Sequence, residues 1–177
     1  MLFRSVSGSV VLRFTLAADH DPETPLVLDF AGTTLTDVRL NERDVTLRAV
    51  ADHVLLPADG LARAGNLLTA RFTAPIGATG TPLTVYRDAA DGREYFYTLV
   101  VPADAHRLYP CFDQPDLKAR FRFELDLPAT WTAVANTARI EVDDKPNDVA
   151  GVLWRFDRSK PLPTYLAAFA CGPFRSE

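Results

Sequence analysis

Apolar and polar positions alternate with a period of two along most of this chain. The clearest stretch is Ala119–Leu127, where Phe121, Phe123, Leu125 and Leu127 share one face and Arg120, Arg122, Glu124 and Asp126 the other. That is the pattern of a half-buried strand. Val10, Leu12, Phe14 and Leu16 alternate with Val11, Arg13 and Thr15, which predicts an early strand with one slightly mixed face. Leu68, Ala70 and Phe72 alternate with Thr69, Arg71 and Thr73. Ile140 and Val142 alternate with Glu141 and Asp143, and Trp154 and Phe156 with Arg155 and Asp157. Shorter strand candidates lie near 25–30, 34–40, 44–49, 82–86, 94–101, 131–135 and 164–170.

Turn chemistry separates these runs: Asp21-Pro22, Ala31-Gly32, Asn41-Glu42, Asp59-Gly60, Gly65-Asn66, Asp91-Gly92 and Pro146-Asn147. Asp-Gly between apolar runs is a hairpin signal, because both residues tolerate the positive φ that tight turns need. Helical periodicity is weak, and only Ala103–Leu108, after Pro102, has the makings of a helical turn. Many short strands at this spacing predict an all-β fold. The expected form is an extended antiparallel β-sandwich or saddle-like sheet with little helix, as a single domain over residues 1–177.

Composition narrows the function classes. A chain of 177 residues, 47% apolar and 24% charged, buries enough surface to hold its own core. Disordered, collagen-like and coiled-coil chains are excluded. No apolar run reaches the ~20 residues of a membrane-spanning helix. Met1-Leu-Phe-Arg-Ser5 lacks the basic and apolar parts of a secretory signal, so a cytoplasmic location is expected. The net charge of −4 is interspersed and forms no basic stripe, so neither a nucleic-acid nor a membrane partner is expected. Cys111 and Cys171 are too few for a disulfide framework and read as buried free thiols.

Candidate chemistry is sparse. His20, His53 and His106 stand far apart, and none begins a His-Glu-x-x-His zinc motif. There is no Gly-x-Ser-x-Gly elbow and no phosphate-cradling glycine loop. Cys111 and His106 could form a thiolate–imidazole pair. Their spacing of five across Pro110 gives the side chains no reason to meet. Asp113 and Asp116 could be paired carboxylates, but Asp113-Gln-Pro-Asp116 reads more simply as a turn. Pro110 and Pro115 fix φ at two points, Tyr109 and Phe112 can anchor the loop by burial, and Asp113 suits its free amides. The segment is a rigid corner leading into strand 119–127, and the chain alone holds no evident active site.

Asp104-Ala-His-Arg-Leu-Tyr-Pro-Cys-Phe-Asp-Gln-Pro-Asp-Leu-Lys-Ala-Arg-Phe121 resembles the signature of the aminopeptidase N family, the gluzincin zinc aminopeptidases. In that family a Pro-Cys-Phe-Asp-Glu/Gln-Pro-x-x-Lys-Ala-x-Phe run sits in the N-terminal β domain. Pro110, Cys111, Phe112, Asp113, Gln114 and Pro115 carry the likeness as a structural signature. Gly92–Thr98, Trp131–Asn136 and Pro163–Phe174 resemble flanking family strands, and weaker likeness reaches back to Leu26–Gly32.

The resemblance implies an N-terminal, non-catalytic domain. Catalytic residues and zinc would lie in a following domain of the same polypeptide, with no metal or cofactor in this chain. The domain would dock on that catalytic domain and form one wall of a cleft for peptide substrates. The family wall strand, Tyr-Thr-Gln-Phe-Glu-Pro, aligns with Tyr97-Thr-Leu-Val-Val-Pro102, giving Thr98, Leu99 and Val101 as cleft-wall candidates. Leu99 stands where the family has Gln, and Val101 where it has Glu. A leucine makes no hydrogen bond, so the departure implies selectivity for apolar first residues, weakened activity, or a neutral repacking. One alternative is a stand-alone β-sandwich that binds a peptide or protein, through an exposed edge strand for instance. A carbohydrate-binding sandwich rests on fold analogy alone, and Trp131 and Trp154 sit in strand-like apolar surroundings.

Overall fold

The computed structural model describes residues 5–144 and 151–175; the turn expected at Pro146-Asn147 and the Met1–Arg4 segment lie outside them. The strands are β1 (Ser5–Phe14), β2 (Leu26–Asp29), β3 (Thr34–Leu40), β4 (Arg43–Asp44), β5 (Arg48–Val50) and β6 (His53–Leu56). Then come β7 (Asn66–Pro75), β8 (Leu83–Arg87), β9 (Glu94–Thr98), β10 (Lys118–Ala119) and β11 (Glu124–Pro128). The last are β12 (Thr132–Ala135), β13 (Arg139–Asp144), β14 (Gly151–Phe156), β15 (Leu162–Pro163) and β16 (Phe169–Gly172). Three single 3₁₀ turns, at Ala58–Gly60, Ala105–Arg107 and Thr164–Leu166, are the helical content of the described residues. The fold is all-β, and every paired strand is antiparallel. No helix among the described residues is long and apolar enough to cross a membrane.

The chain divides into two compact units. One runs to Pro75 and adds Asp104–Asp113; the other holds Ile76–Ala103 and the residues from Gln114 onward.

The first unit has a four-stranded sheet in the order β1-β7-β3-β4 and a three-stranded sheet in the order β2-β6-β5. Both contribute to one core: Leu40 and Leu68 from the first sheet, Leu28, Val54 and Leu56 from the second. Leu12, Phe14 and Phe112 pack against that cluster. Strand β1 shows the period of two in its burial, with odd residues exposed and even ones half-buried. The Asn41-Glu42 turn joins β3 to β4 with φ of 50° and 68°, the positive values a two-residue hairpin asks for. Asp59-Gly60, expected as a hairpin turn, instead closes the 3₁₀ turn before Leu61.

The second unit has a four-stranded sheet, β12-β16-β9-β8, a three-stranded sheet, β11-β14-β13, and the short β10-β15 pair. Residues 120–127 keep the expected alternation, but the ladder is broken: β10 and β11 flank residues 120–123. There Phe121 exchanges bonds with Ser159, through its N–H to the Ser159 hydroxyl and its carbonyl to the Ser159 N–H. Partnering a chain that has already left β14 replaces regular pairing. Ile140 corrects another expectation. A bulge between Arg139 and Glu141 takes it out of register, and it is 55% exposed rather than packed.

Candidate functional site

The signature corner is built on the end of β2. Asp29 and Cys111 exchange backbone bonds, N to O 2.9 Å and 3.1 Å, which adds Cys111 to the sheet as an isolated bridge. The Ala31 N–H donates to the His106 carbonyl at 2.9 Å. Pro110 is fully buried, Tyr109 is buried, and Phe112 lies edge-on to Phe14 with ring centroids 5.2 Å apart. Each buried ring contributes on the order of 2 kcal/mol.

Two carboxylates tie the corner together. The Asp113 side chain is 3% exposed, and its Oδ2 accepts the His106 N–H at 3.1 Å and faces the His106 ring Nδ1 at 2.7 Å. The Asp29 carboxylate accepts the Asp113 N–H through Oδ2 at 2.8 Å and meets His53 Nδ1 through Oδ1 at 2.7 Å. Asp29 and His53 are the members of this network that sequence reasoning missed. Asp29 lies 84 positions from Asp113, and no local pattern signals such a partnership.

This arrangement decides between the chemical readings of the corner. His106 is committed to Asp113, and Cys111 is buried. Burial pushes the Cys111 thiol far above its ordinary range, and the charges of Asp113 and Asp29 add to the rise. A thiolate nucleophile needs the opposite environment. Asp113 is a buried structural acceptor and Asp116 is exposed. Gln114 and Pro115 are also exposed, and the Gln114 carbonyl accepts the Leu117 N–H at 3.0 Å. Among the described residues, no group of three or more His, Cys, Asp or Glu side chains is placed to hold a metal ion.

The buried groups also set an alkaline limit. Burial pushes the Cys171 thiol up to about 12 and raises the Tyr109 phenol strongly. A group whose folded pKa is raised adds stability that is complete below its unfolded value and fades as pH climbs to the folded one. For Cys171 that window runs from about pH 9 to about 12. The expected results are stability falling across that interval, and thiols that ignore an aromatic disulfide reagent at pH 8 until the chain is unfolded. Rapid labelling of native protein would contradict the buried placement.

The cleft-wall candidates lie in the other unit, at the end of β9. This strand sits between β8 and β16, so its backbone is held on both sides. The Thr98 hydroxyl accepts the Phe169 N–H at 3.1 Å and donates to the Phe169 carbonyl at 3.3 Å. The Leu99 N–H donates to the Pro82 carbonyl at 2.8 Å. Val100 is 2% exposed, while Leu99 and Val101 on either side are 42% and 55% exposed. Two apolar side chains therefore project into solvent from an anchored backbone. Thr98 spends its hydroxyl on holding the strand end.

A sequence model of the peptidase M1 N-terminal domain matches residues 3–166. The chain belongs to that family. Aminopeptidase N of Streptomyces lividans is 29% identical over 149 residues, which cover 84% of this chain and 17% of the relative. Human glutamyl aminopeptidase is 32% identical over 133 residues, 71% of this chain and 13% of the relative. Human aminopeptidase Q is 33% identical over 93 residues, 51% of this chain and 9% of the relative. This M1 N-terminal domain thus spans less than a fifth of the length of these relatives. The matched region takes in both the corner and the β9 end.

Proposed function

We propose that this M1 N-terminal domain is one wall of the substrate cleft in a longer zinc aminopeptidase that removes N-terminal residues from peptides. It docks on the catalytic domain of the same polypeptide, in the cytoplasm. The observation that carries the reading is the family match over residues 3–166, together with relatives named as aminopeptidases that are several times longer. Zinc would be held by the catalytic domain, which carries the zinc site in the family the chain resembles. Leu99 and Val101 are the wall residues that face the first residue of the peptide, and Thr98 positions them through Phe169. Two exposed apolar side chains on a fixed backbone suit an apolar first residue better than a charged one.

The test is made on the native polypeptide containing this chain. It should cleave aminoacyl amides that carry a free α-amino group and spare their N-acetylated forms. Removing zinc with a chelator should abolish activity, and adding zinc should restore it. Residues 1–177 alone should hydrolyse neither substrate. A zinc-loaded native polypeptide that cleaves no unblocked substrate would overturn the proposal and favour a binding module.

A further inference from the structure

Val101, the more exposed of the two apolar wall residues, lies in a short span of chain held at both ends. On the upstream side, Thr98 is bonded to Phe169, and the Leu99 N–H donates to the Pro82 carbonyl at 2.8 Å. On the downstream side a hydrogen-bonded turn begins at Asp104. Its carbonyl accepts the Arg107 N–H at 3.1 Å, and the Ala105 carbonyl accepts the N–H groups of Leu108 and Tyr109 at 2.9 and 3.0 Å. Among the described residues, no backbone hydrogen bond reaches residues 100–103 between these two ends. Val100 is buried, and the ring of Pro102 fixes its own φ. Where Val101 stands is therefore set by the two bonded ends.

His106 holds the downstream end. Its N–H donates to Asp113 Oδ2 at 3.1 Å, its ring Nδ1 meets the same oxygen at 2.7 Å, and its carbonyl accepts the Ala31 N–H at 2.9 Å. The Asp113 side chain is almost fully buried, so water does not readily replace a donor that is lost. The corner beyond has anchors of its own, in buried Pro110 and in the backbone exchange between Asp29 and Cys111. The bond from the His106 ring therefore bears chiefly on the turn just downstream of the wall.

We propose that His106 is a positioning residue for the cleft wall: bound to Asp113 and Ala31, it fixes the downstream end of the span and, through the chain, the place of Val101. The inference rests on the reading of Val101 as a wall residue that meets the first residue of the peptide. Thr98 and His106 then hold opposite ends of the same short span. His106 acts along the backbone and not by touching the peptide. Its loss should appear as weaker binding of the first residue rather than as slower chemistry.

The experiment is steady-state kinetics of the native polypeptide on a free-amino leucyl amide. Val101→Ala should raise KM by about tenfold. His106→Ala should raise KM by a similar factor, about tenfold, with kcat held within about twofold. His106→Asn, whose amide can still donate to Asp113, should restore most of the wild-type KM. Inserting one glycine after Ala103 lengthens the span and leaves both ends bonded, so it should raise KM as His106→Ala does. The insertion does not touch the corner, and it reads the same span even where loss of the ring unfolds the turn. If His106 acts through Val101, the double variant His106→Ala, Val101→Ala should have a KM no higher than Val101→Ala alone. A merely structural role would lower the amount of active enzyme, and so kcat, with KM unchanged. Additive effects in the double variant, a KM unmoved by His106→Ala, or a KM unmoved by the insertion, each beside a raised KM in Val101→Ala, would overturn the proposal and leave the wall reading in place. A KM unmoved by Val101→Ala would overturn the wall reading, and the proposal with it.

Discussion

Replacing Asp29 by alanine should destabilise the unit that carries the signature corner by about 3 kcal/mol, a larger effect than replacing either histidine. The Asp29 carboxylate is only 16% exposed and serves two donors. The Asp113 N–H would lose a charged acceptor, and such a bond contributes about 1.5–3 kcal/mol. The pair with His53 adds less, about 0.5–1 kcal/mol, because that ring is 48% exposed. Asn at position 29 keeps an oxygen for the Asp113 N–H and should recover about half the loss. Urea denaturation of the three proteins checks this, read as a lower midpoint at unchanged slope. Asp29→Ala with a wild-type midpoint would mean that the corner is held by burial of Pro110 and Tyr109 alone.

The second large effect concerns selectivity. In the native polypeptide, Leu99→Gln should lower kcat/KM for substrates with a leucine-like first residue by about tenfold relative to polar ones, or about 1.4 kcal/mol. The backbone around position 99 is anchored by its N–H bond to Pro82 and by Thr98 on Phe169, so the new amide should replace the old side chain without shifting the strand. Thr98→Val offers a contrast. It breaks both bonds to Phe169 and should raise KM across substrates while changing their ranking little. An unchanged ranking in Leu99→Gln would remove position 99 from the wall.

Most of the strands were legible because burial on one face of a sheet repeats every two residues, as in Val10–Phe14, Leu68–Phe72 and Trp154–Phe156. Strand β6 was missed. His53-Val-Leu-Leu56 puts three apolar residues in a row, and in the structure Val54 and Leu56 point to the core while Leu55 is half-buried. Such a run carries no period to read. The bulge at Ile140 was hidden for a different reason: the alternation is present, but alternation in one strand says nothing of its partner's count. The two compact units were not foreseen either, because the chain crosses between them and contact, not composition, separates them.

The candidate site divides in the same way. The corner could be recognised from Pro110 through Pro115, since two prolines and an aspartate in a short span restrict the backbone locally. Its anchor could not, because Asp29 and His53 reach it through distant strands. At the end of β9 the order of Leu99, Val100 and Val101 gives three apolar residues with no hint of which is buried. The structure buries the middle one. The contrast with polar family residues came from the resemblance, not from the pattern.

The central claim is that this M1 N-terminal domain works as part of a longer peptidase. The most direct measurement is the intact mass of the native polypeptide, captured from its source with an antibody against this chain and assayed on a free-amino leucyl amide. The account predicts a species several times heavier than the 19.5 kDa of residues 1–177, with chelator-sensitive release of the N-terminal residue. A native species of about 19.5 kDa with no hydrolysis would contradict it and leave a stand-alone β module.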